Sequence, residues 1–396
     1  MNCEHFSVIV ESLRKAQKMS VRSLLNGEMY SICNVRTYTK IRNCISIREP
    51  SIYSELMKIF HLEVYELDLH IDYSKLWNGL EYCDIQKILT ECKVLLDLLK
   101  DHQKHYYYHF AYLAVSRIKE FYEKSFRANP VELKLLLEIL PIYDIFLQKS
   151  ILLFAATSSG VLPRDESSML YKRIVKMNEP VLIIYVLDYY LNAKAYWDGN
   201  LLIRQIESSL DQNNVLRMLD FYDLASIYLK DQNAFDNIYE KKYLEYLQEH
   251  IDSLPDNKKV QHYGNLASEA ILDQNYSLAL QYLSYIQNIE TRRKKAIYNY
   301  MIFCQDSLGM EVSEDLLKLP SSEYYSESDN AVYSYYLGKT NRTPKENKEY
   351  IKSIIDNDLY KTEQIYLKIM EIELYKFSKK TNRYKQYADL KYDNKI

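Results

Sequence analysis

The sequence predicts an all-α protein made mostly of stacked helical hairpins. Three observations carry that prediction. Glycine (7) and proline (8) are scarce in 396 residues, whereas sheets and Gly-rich phosphate loops need such residues at their turns. Apolar residues reach 47%, enough for a large core and too many for a disordered chain. Apolar positions also recur every 34 residues. Tyr263, Ile297, Ala331 and Ile365 stand in one register and Leu283, Leu317 and Ile351 in another. The small residues Ala270, Cys304 and Gly338 form a third.

Residues 1–66 read as a head of short helices. Phe6, Ile9, Val10 and Leu13 have helical spacing. Ser20 is the expected N-cap of a second helix with Leu24 and Leu25, ended by Asn26-Gly27. Asn34 caps a third, with Tyr38 and Ile41. Pro50-Ser51 opens a fourth, with Ile52, Leu56 and Ile59, and His61-Leu62-Glu63 closes it. Residues 67–75, with Asp68 and Asp72, are the expected linker. From 76 to 396 the pattern is helix, short polar break, helix. The breaks fall near Asp101, Asn129-Pro130, Ser158 to Pro163, Glu179-Pro180, Asp211 to Asn214, Pro255 to Asn257, Asp273 to Asn275 and Pro344.

A 34-residue helix-turn-helix unit is the tetratricopeptide period. The clearest copy is Tyr263-x-x-Leu266-Ala267-x-x-Ala270, followed by Ala279, Leu283 and Ile286. An upstream copy, Phe221-x-x-Leu224-Ala225-x-x-Tyr228, is offset by an insertion near Ala234 to Glu240. In such a unit the aromatic and Leu pack on the second helix, and small residues let helices approach closely. Stacked neighbours then bury a continuous core. The expected architecture for 76–396 is therefore a right-handed α-solenoid of tetratricopeptide-like hairpins.

Composition narrows the setting. Six cysteines without a CxxC or zinc-module spacing read as reduced thiols. The polar N-terminus lacks the apolar core of a signal peptide, and the longest apolar run, Val181 to Leu187, is too short for a membrane span. A cytoplasmic protein without a membrane partner is expected. Charge is unevenly placed. Eight Lys/Arg and one acid, Glu28, lie between Arg14 and Arg48, a net +7, so the remainder carries −10 to reach the chain's −3. A basic head beside an acidic body suggests that the head meets a polyanion. The 40 tyrosines, against 11 phenylalanines, read as core filler with a polar tip.

The head's motifs carry a resemblance. Leu13-Arg14-Lys15-Ala16-x-Lys18-Met19-Ser20, then Ser31-Ile32-Cys33-Asn34-Val35-Arg36-Thr37-Tyr38-Thr39-Lys40-Ile41, then Pro50-Ser51-Ile52-Tyr53-x-x-Leu56 resemble, in order and spacing, the phage-repressor (XRE-type) helix-turn-helix. Val21, Arg42 and Cys44 stand where that family often has Gln, Glu and Gly, and Gly27 to Tyr30 are about four extra residues. The resemblance implies a double-stranded DNA operator as partner. The recognition helix would present Asn34, Val35, Arg36, Thr37, Thr39 and Lys40 to base edges. Arg14, Lys15, Arg22, Arg42 and Arg48 would lie at phosphates. Joined to a tetratricopeptide-like array, such a head is similar to the peptide-pheromone-responsive regulators of Gram-positive bacteria (the Rgg, PlcR and PrgX group). That similarity implies quorum sensing, a homodimer, and a short signalling peptide on the repeat surface.

Asn265 and Asn299 occupy one slot 34 residues apart, and Asp223 the comparable upstream slot. A side-chain amide both donates and accepts, so such a ladder can clamp a peptide backbone. Tyr263, Tyr298 and Tyr333 are candidate pocket walls. His102, His105 and His109 would share a helical face, but solvated or packed histidines are expected, and no metal or cofactor. No HExxH, Walker motif, GxGxxG or Ser-His-Asp set appears, so no enzyme is expected. The alternative function is a tetratricopeptide-like interaction scaffold whose head does not bind DNA.

Overall fold

Local signals set many of the helix starts. Ser20, Asn34, Asp84, Asn129, Asp144, Asn214 and Asn275 each precede a helix and accept a backbone N–H from its first turn. They satisfy donors that have no partner within the helix. Ser326 and Thr343 form reciprocal capping boxes with Asp329 and Glu346. The computed structural model describes residues 2–26, 31–67, 69–124, 128–158, 162–232, 237–291, 293–319, 325–357, 359 and 365–381. These contain twenty α-helices and no β-strand, as an all-α chain requires. Contacts divide them into two compact units, Met1–Gln248 and Glu249–Ile396.

The first unit opens with α1 (Cys3–Ala16), α2 (Val21–Leu25), α3 (Val35–Arg42) and α4 (Ser51–Lys58). Phe6, Ile9, Val10 and Leu13 of α1 are buried, as are Leu24, Leu25, Tyr38, Ile41, Ile52 and Leu56. Phe6 meets Tyr53 edge-on at 4.8 Å. The extra residues Gly27 to Tyr30 lie outside the described residues, as does Asp68 of the expected linker. Part of that linker, and the stretch before it, pack against the chain. Glu63 exchanges backbone hydrogen bonds with Lys104 (2.7 Å) and Tyr106 (3.0 Å). The Tyr108 hydroxyl donates to the Leu69 carbonyl, and Ile71 and Tyr73 are buried.

The body of this unit runs through α5 (Ser74–Glu81), α6 (Ile85–Leu99), α7 (Tyr108–Lys124), α8 (Pro130–Ile139), α9 (Ile145–Thr157), α10 (Arg164–Met177), α11 (Pro180–Asn192), α12 (Tyr196–Ser209), α13 (Val215–Asp231) and α14 (Ile238–His250). Sequential pairs such as α6–α7 and α11–α12 form hairpins, while α1 of the head rests on α8 and α9 packs on α5. The buried Arg217 links distant elements. Its guanidinium donates to the carbonyls of Leu80 (2.6 Å) and Glu81 (3.1 Å). It thereby satisfies the C-terminal end of α5, where helical carbonyls lack internal partners. Cys83, Asn178 and Lys194 follow helix ends with left-handed backbones (φ +55°, +57° and +55°). This glycine-poor chain stops helices with other residues there. Gly199 is required for space: a Cβ there would collide with the Tyr228 ring, whose hydroxyl donates to the Ala195 carbonyl.

The second unit contains α15 (Asp256–Leu272), α16 (Tyr276–Ser284), α17 (Lys294–Ser307), α18 (Glu327–Lys339), α19 (Pro344–Asp356) and α20 (Ile365–Thr381). The period positions Tyr263, Ile297, Ala331 and Ile365 fall on α15, α17, α18 and α20. Leu317, the expected second-helix residue of the middle repeat, lies instead in a single 3-10 turn, Glu314–Leu317. Ala270 and Cys304 are buried as the period requires, but Gly338 makes room for the Arg342 guanidinium. Stacking here is not purely sequential, because α20 packs on α19 and also on α15. Tyrosines help fill this core, two of them with their hydroxyls on buried carboxylates. Fully buried Tyr335 donates to Glu373 (2.8 Å) and Tyr366 to Asp329 (2.7 Å).

Candidate nucleic-acid interface

The α3 helix is short and amphipathic. Asn34 caps it through its side-chain carbonyl, which accepts the Thr37 N–H at 2.8 Å. Tyr38 and Ile41, three residues apart, form its buried side. Val35 (53% exposed), Arg36, Thr39 and Lys40 face outward, with Arg42 at the end. Thr37 is half-buried. The Thr39 hydroxyl donates to the Val35 carbonyl at 2.8 Å. No acidic residue lies on this helix. Lys15, Arg22 and Arg48 are also exposed, and among the described residues neither Arg36 nor Lys40 enters an ion pair.

Glu11 on α1 ties the helix down. It accepts the Tyr38 hydroxyl at 2.5 Å and both Nε (3.3 Å) and Nη2 (2.9 Å) of Arg14, and lies 3.6 Å from Arg42. Burial alone would raise the Glu11 pKa. The hydrogen bonds from Arg14 and Tyr38, with the two guanidinium charges, outweigh it and hold the carboxyl below its ordinary value. Burial and the same hydrogen bond push the Tyr38 phenol up. Arg14 also donates to the Met19 carbonyl at 2.7 Å. Its guanidinium thus works inside the head, whereas Arg42 keeps a 49% exposed side chain. Sequence reasoning missed Glu11. Its one visible signal is the three-residue spacing to Arg14.

The other candidates are scattered. Asn299 is fully buried in the second unit and donates to the Asp329 carbonyl (3.1 Å) and the Tyr366 hydroxyl (3.0 Å). Asn299 is therefore a core residue rather than part of a groove surface. Asn265 is half-buried on α15. Tyr263, also half-buried, has its ring centroid 4.9 Å from Tyr285. Tyr298 is half-buried with the Lys294 ammonium 6.0 Å from its ring. Tyr333 is buried, its hydroxyl donating to Leu316 and accepting from the Leu319 N–H. Asp223 is buried in the first unit. The three histidines do not share a helical face, because α7 begins only at Tyr108. His105 bonds the Tyr65 carbonyl, His109 the Gln103 carbonyl and His102 the Tyr65 hydroxyl. Among the described residues no group of His, Cys, Asp or Glu is placed to hold a metal ion, and no helix is long and apolar enough to cross a membrane.

Comparison with protein-family models, curated proteins and solved structures finds no match of any of the three kinds.

Proposed function

We propose that the head binds double-stranded DNA and that the chain is a transcription regulator. One observation carries this reading: the outward face of α3, where Val35, Arg36, Thr39 and Lys40 stand together on a helix that has no carboxylate of its own. The helix is fixed from behind by Tyr38, Ile41 and Glu11. A short helix of this kind fits the major groove, where Arg36 suits the two acceptors of guanine and Val35 the thymine methyl. Lys15, Arg22, Lys40, Arg42 and Arg48 would meet phosphates, and counterion release would make binding fall with salt. Asn34 acts chiefly as the cap, since its carbonyl is already engaged.

The helical body is the sensing and dimerising part in this reading, with a homodimer on a two-fold operator and a short peptide as ligand. Asn299 is not one of the peptide contacts, because it is buried. Asn265, Tyr263 and Tyr298 remain the candidates. Fluorescence anisotropy with DNA from upstream of the gene, against scrambled DNA at two salt concentrations, tests the reading. Preference for the upstream DNA, with steep loss of affinity at the higher salt, is expected. Equal, weak binding to both would favour an interaction scaffold, for which the packing of α1 on α8 would be a structural rather than a regulatory contact.

A further inference from the structure

The most exposed large apolar side chain among the described residues is Trp197 on α12, at 78%. Leu201, one turn on, is 54% exposed. The helix does not use them for its own packing, because Leu202, Ile203 and Ile206 face inward and are buried. Arg204, also exposed, follows Trp197 by seven residues. That is close to two full turns and about 10 Å along the axis, so Trp197, Leu201 and Arg204 form one outward strip. Exposed Asp198 lies in the first turn, next to the indole.

Both flanks of this strip are tied down. On one side Asn200 and Gln232 exchange side-chain hydrogen bonds (3.3 and 3.4 Å), and Glu207 accepts from the Tyr239 hydroxyl (2.6 Å) and from Lys242 (2.5 Å). On the other side Gln205 donates to the Asn178 side-chain carbonyl. Glu207, the acid one turn from Arg204, is thereby engaged by α14. Among the described residues Trp197, Asp198 and Arg204 enter no hydrogen bond or ion pair. A fixed helix thus holds an indole, a leucine and a guanidinium out to solvent.

The strip is complementary to itself when reversed. A second copy laid antiparallel, about a two-fold axis between residues 200 and 201, brings the indole of each chain to the Arg204 guanidinium of the other. Asp198 stands beside the same guanidinium, and the two Leu201 side chains meet near the axis. Every contact then occurs twice, as an isologous interface requires. Indole is the best ring partner for a guanidinium, and Trp and Arg are the side chains that most often dominate interfaces. A parallel copy would instead set Arg204 against Arg204. From this charge order we infer that the α12 strip is a homodimer contact, occupied by a second copy of this chain. The inference gives a surface to the homodimer proposed above and rests on that part of the reading alone, not on α3.

Sedimentation velocity of the full chain without DNA, over a concentration series, tests it. A monomer–dimer equilibrium is expected. Trp197→Ser should weaken it about a hundredfold, since the ring is lost from both copies. Arg204→Glu, which sets a carboxylate against Asp198 of the second copy, should weaken it about tenfold. Both side chains are exposed, so melting curves should not change. Asp198→Lys combined with Arg204→Glu exchanges the charges and should recover part of the loss caused by Arg204→Glu alone; this comparison stands even if Trp197→Ser fails to fold. A chain that is monomeric throughout would overturn both the surface and the homodimer. A dimer that the single variants leave equally tight, or a charge exchange that recovers nothing, would overturn the surface and leave the homodimer to another face.

Discussion

Two glutamates, the half-buried Glu11 and the buried Glu373, show how differently the head and the second unit use charge. Glu11 in the head and Glu373 on α20 each accept a tyrosine hydroxyl, from Tyr38 and Tyr335, and each lies among cations. Around Glu373 the set closes on itself. Lys339 and Lys376 contact both Glu373 and Asp306, and the Glu373 side chain is 0% exposed. Two acids and two lysines balance, and they join α17, α18 and α20. Around Glu11 the set opens outward: the Glu11 side chain is 14% exposed, Arg42 is 49% exposed, and Arg36 and Lys40 stand beyond it without acidic partners among the described residues. One arrangement locks helices together. The other holds a helix still and leaves positive charge for a partner.

The sharpest way to break this contrast is to remove each glutamate. Glu373→Ala leaves Lys339 and Lys376 one carboxylate, Asp306, to share among aromatic rings and takes the acceptor from the Tyr335 hydroxyl, and loss of one partner of a buried pair costs about 3–5 kcal/mol. Urea unfolding should show a midpoint shift of that size, and a change within error would mean that the closed network contributes nothing. Glu11→Gln keeps the shape and loses the charge, for a smaller cost of roughly 1–2 kcal/mol. Its signature is pH dependence. Because the folded Glu11 carboxyl lies below its ordinary value, its stabilisation is complete above the unfolded-state pKa and disappears as pH falls through the depressed one. Urea midpoints followed from neutral to acid pH should therefore fall less steeply for the Gln variant than for the parent chain. Parallel curves would show that Glu11 is not anchoring α3. The smallest effect is local: Asn34→Ala removes one cap and costs about 1 kcal/mol, seen as faster amide exchange at Thr37 with little change elsewhere.

The same two regions differ in how far the sequence revealed them. In the head, the helix starts are signalled locally, although the contact of Glu11 with Tyr38 is not. Ser20 and Asn34 cap as their types suggest, and Pro50-Ser51 opens α4. The buried positions follow helical spacing. In the second unit the 34-residue period marks where α15, α17, α18 and α20 run, but not what surrounds them. Nothing near Leu317 announces a 3-10 turn in place of a helix. Asn299 reads as a surface residue until α20 folds back and places Tyr366 against it. The helix ends at Cys83 and Lys194 are also unmarked, because the left-handed residue is not glycine. Contacts made across many residues decide those features, and periodicity within a segment carries no record of them.

The central claim, that α3 is built to present charge to DNA, is tested most directly by comparing salt dependence in the parent chain and in the double variant Arg36→Ala/Lys40→Ala. Both side chains are exposed and engage no ion pair among the described residues, so stability should be unchanged. The account predicts that the slope of log K against log salt becomes shallower by about 1–2. It also predicts that Arg36→Ala alone relaxes preference at one base pair by ~1–3 kcal/mol. An unchanged slope and unchanged preference in a fully folded double variant would contradict it.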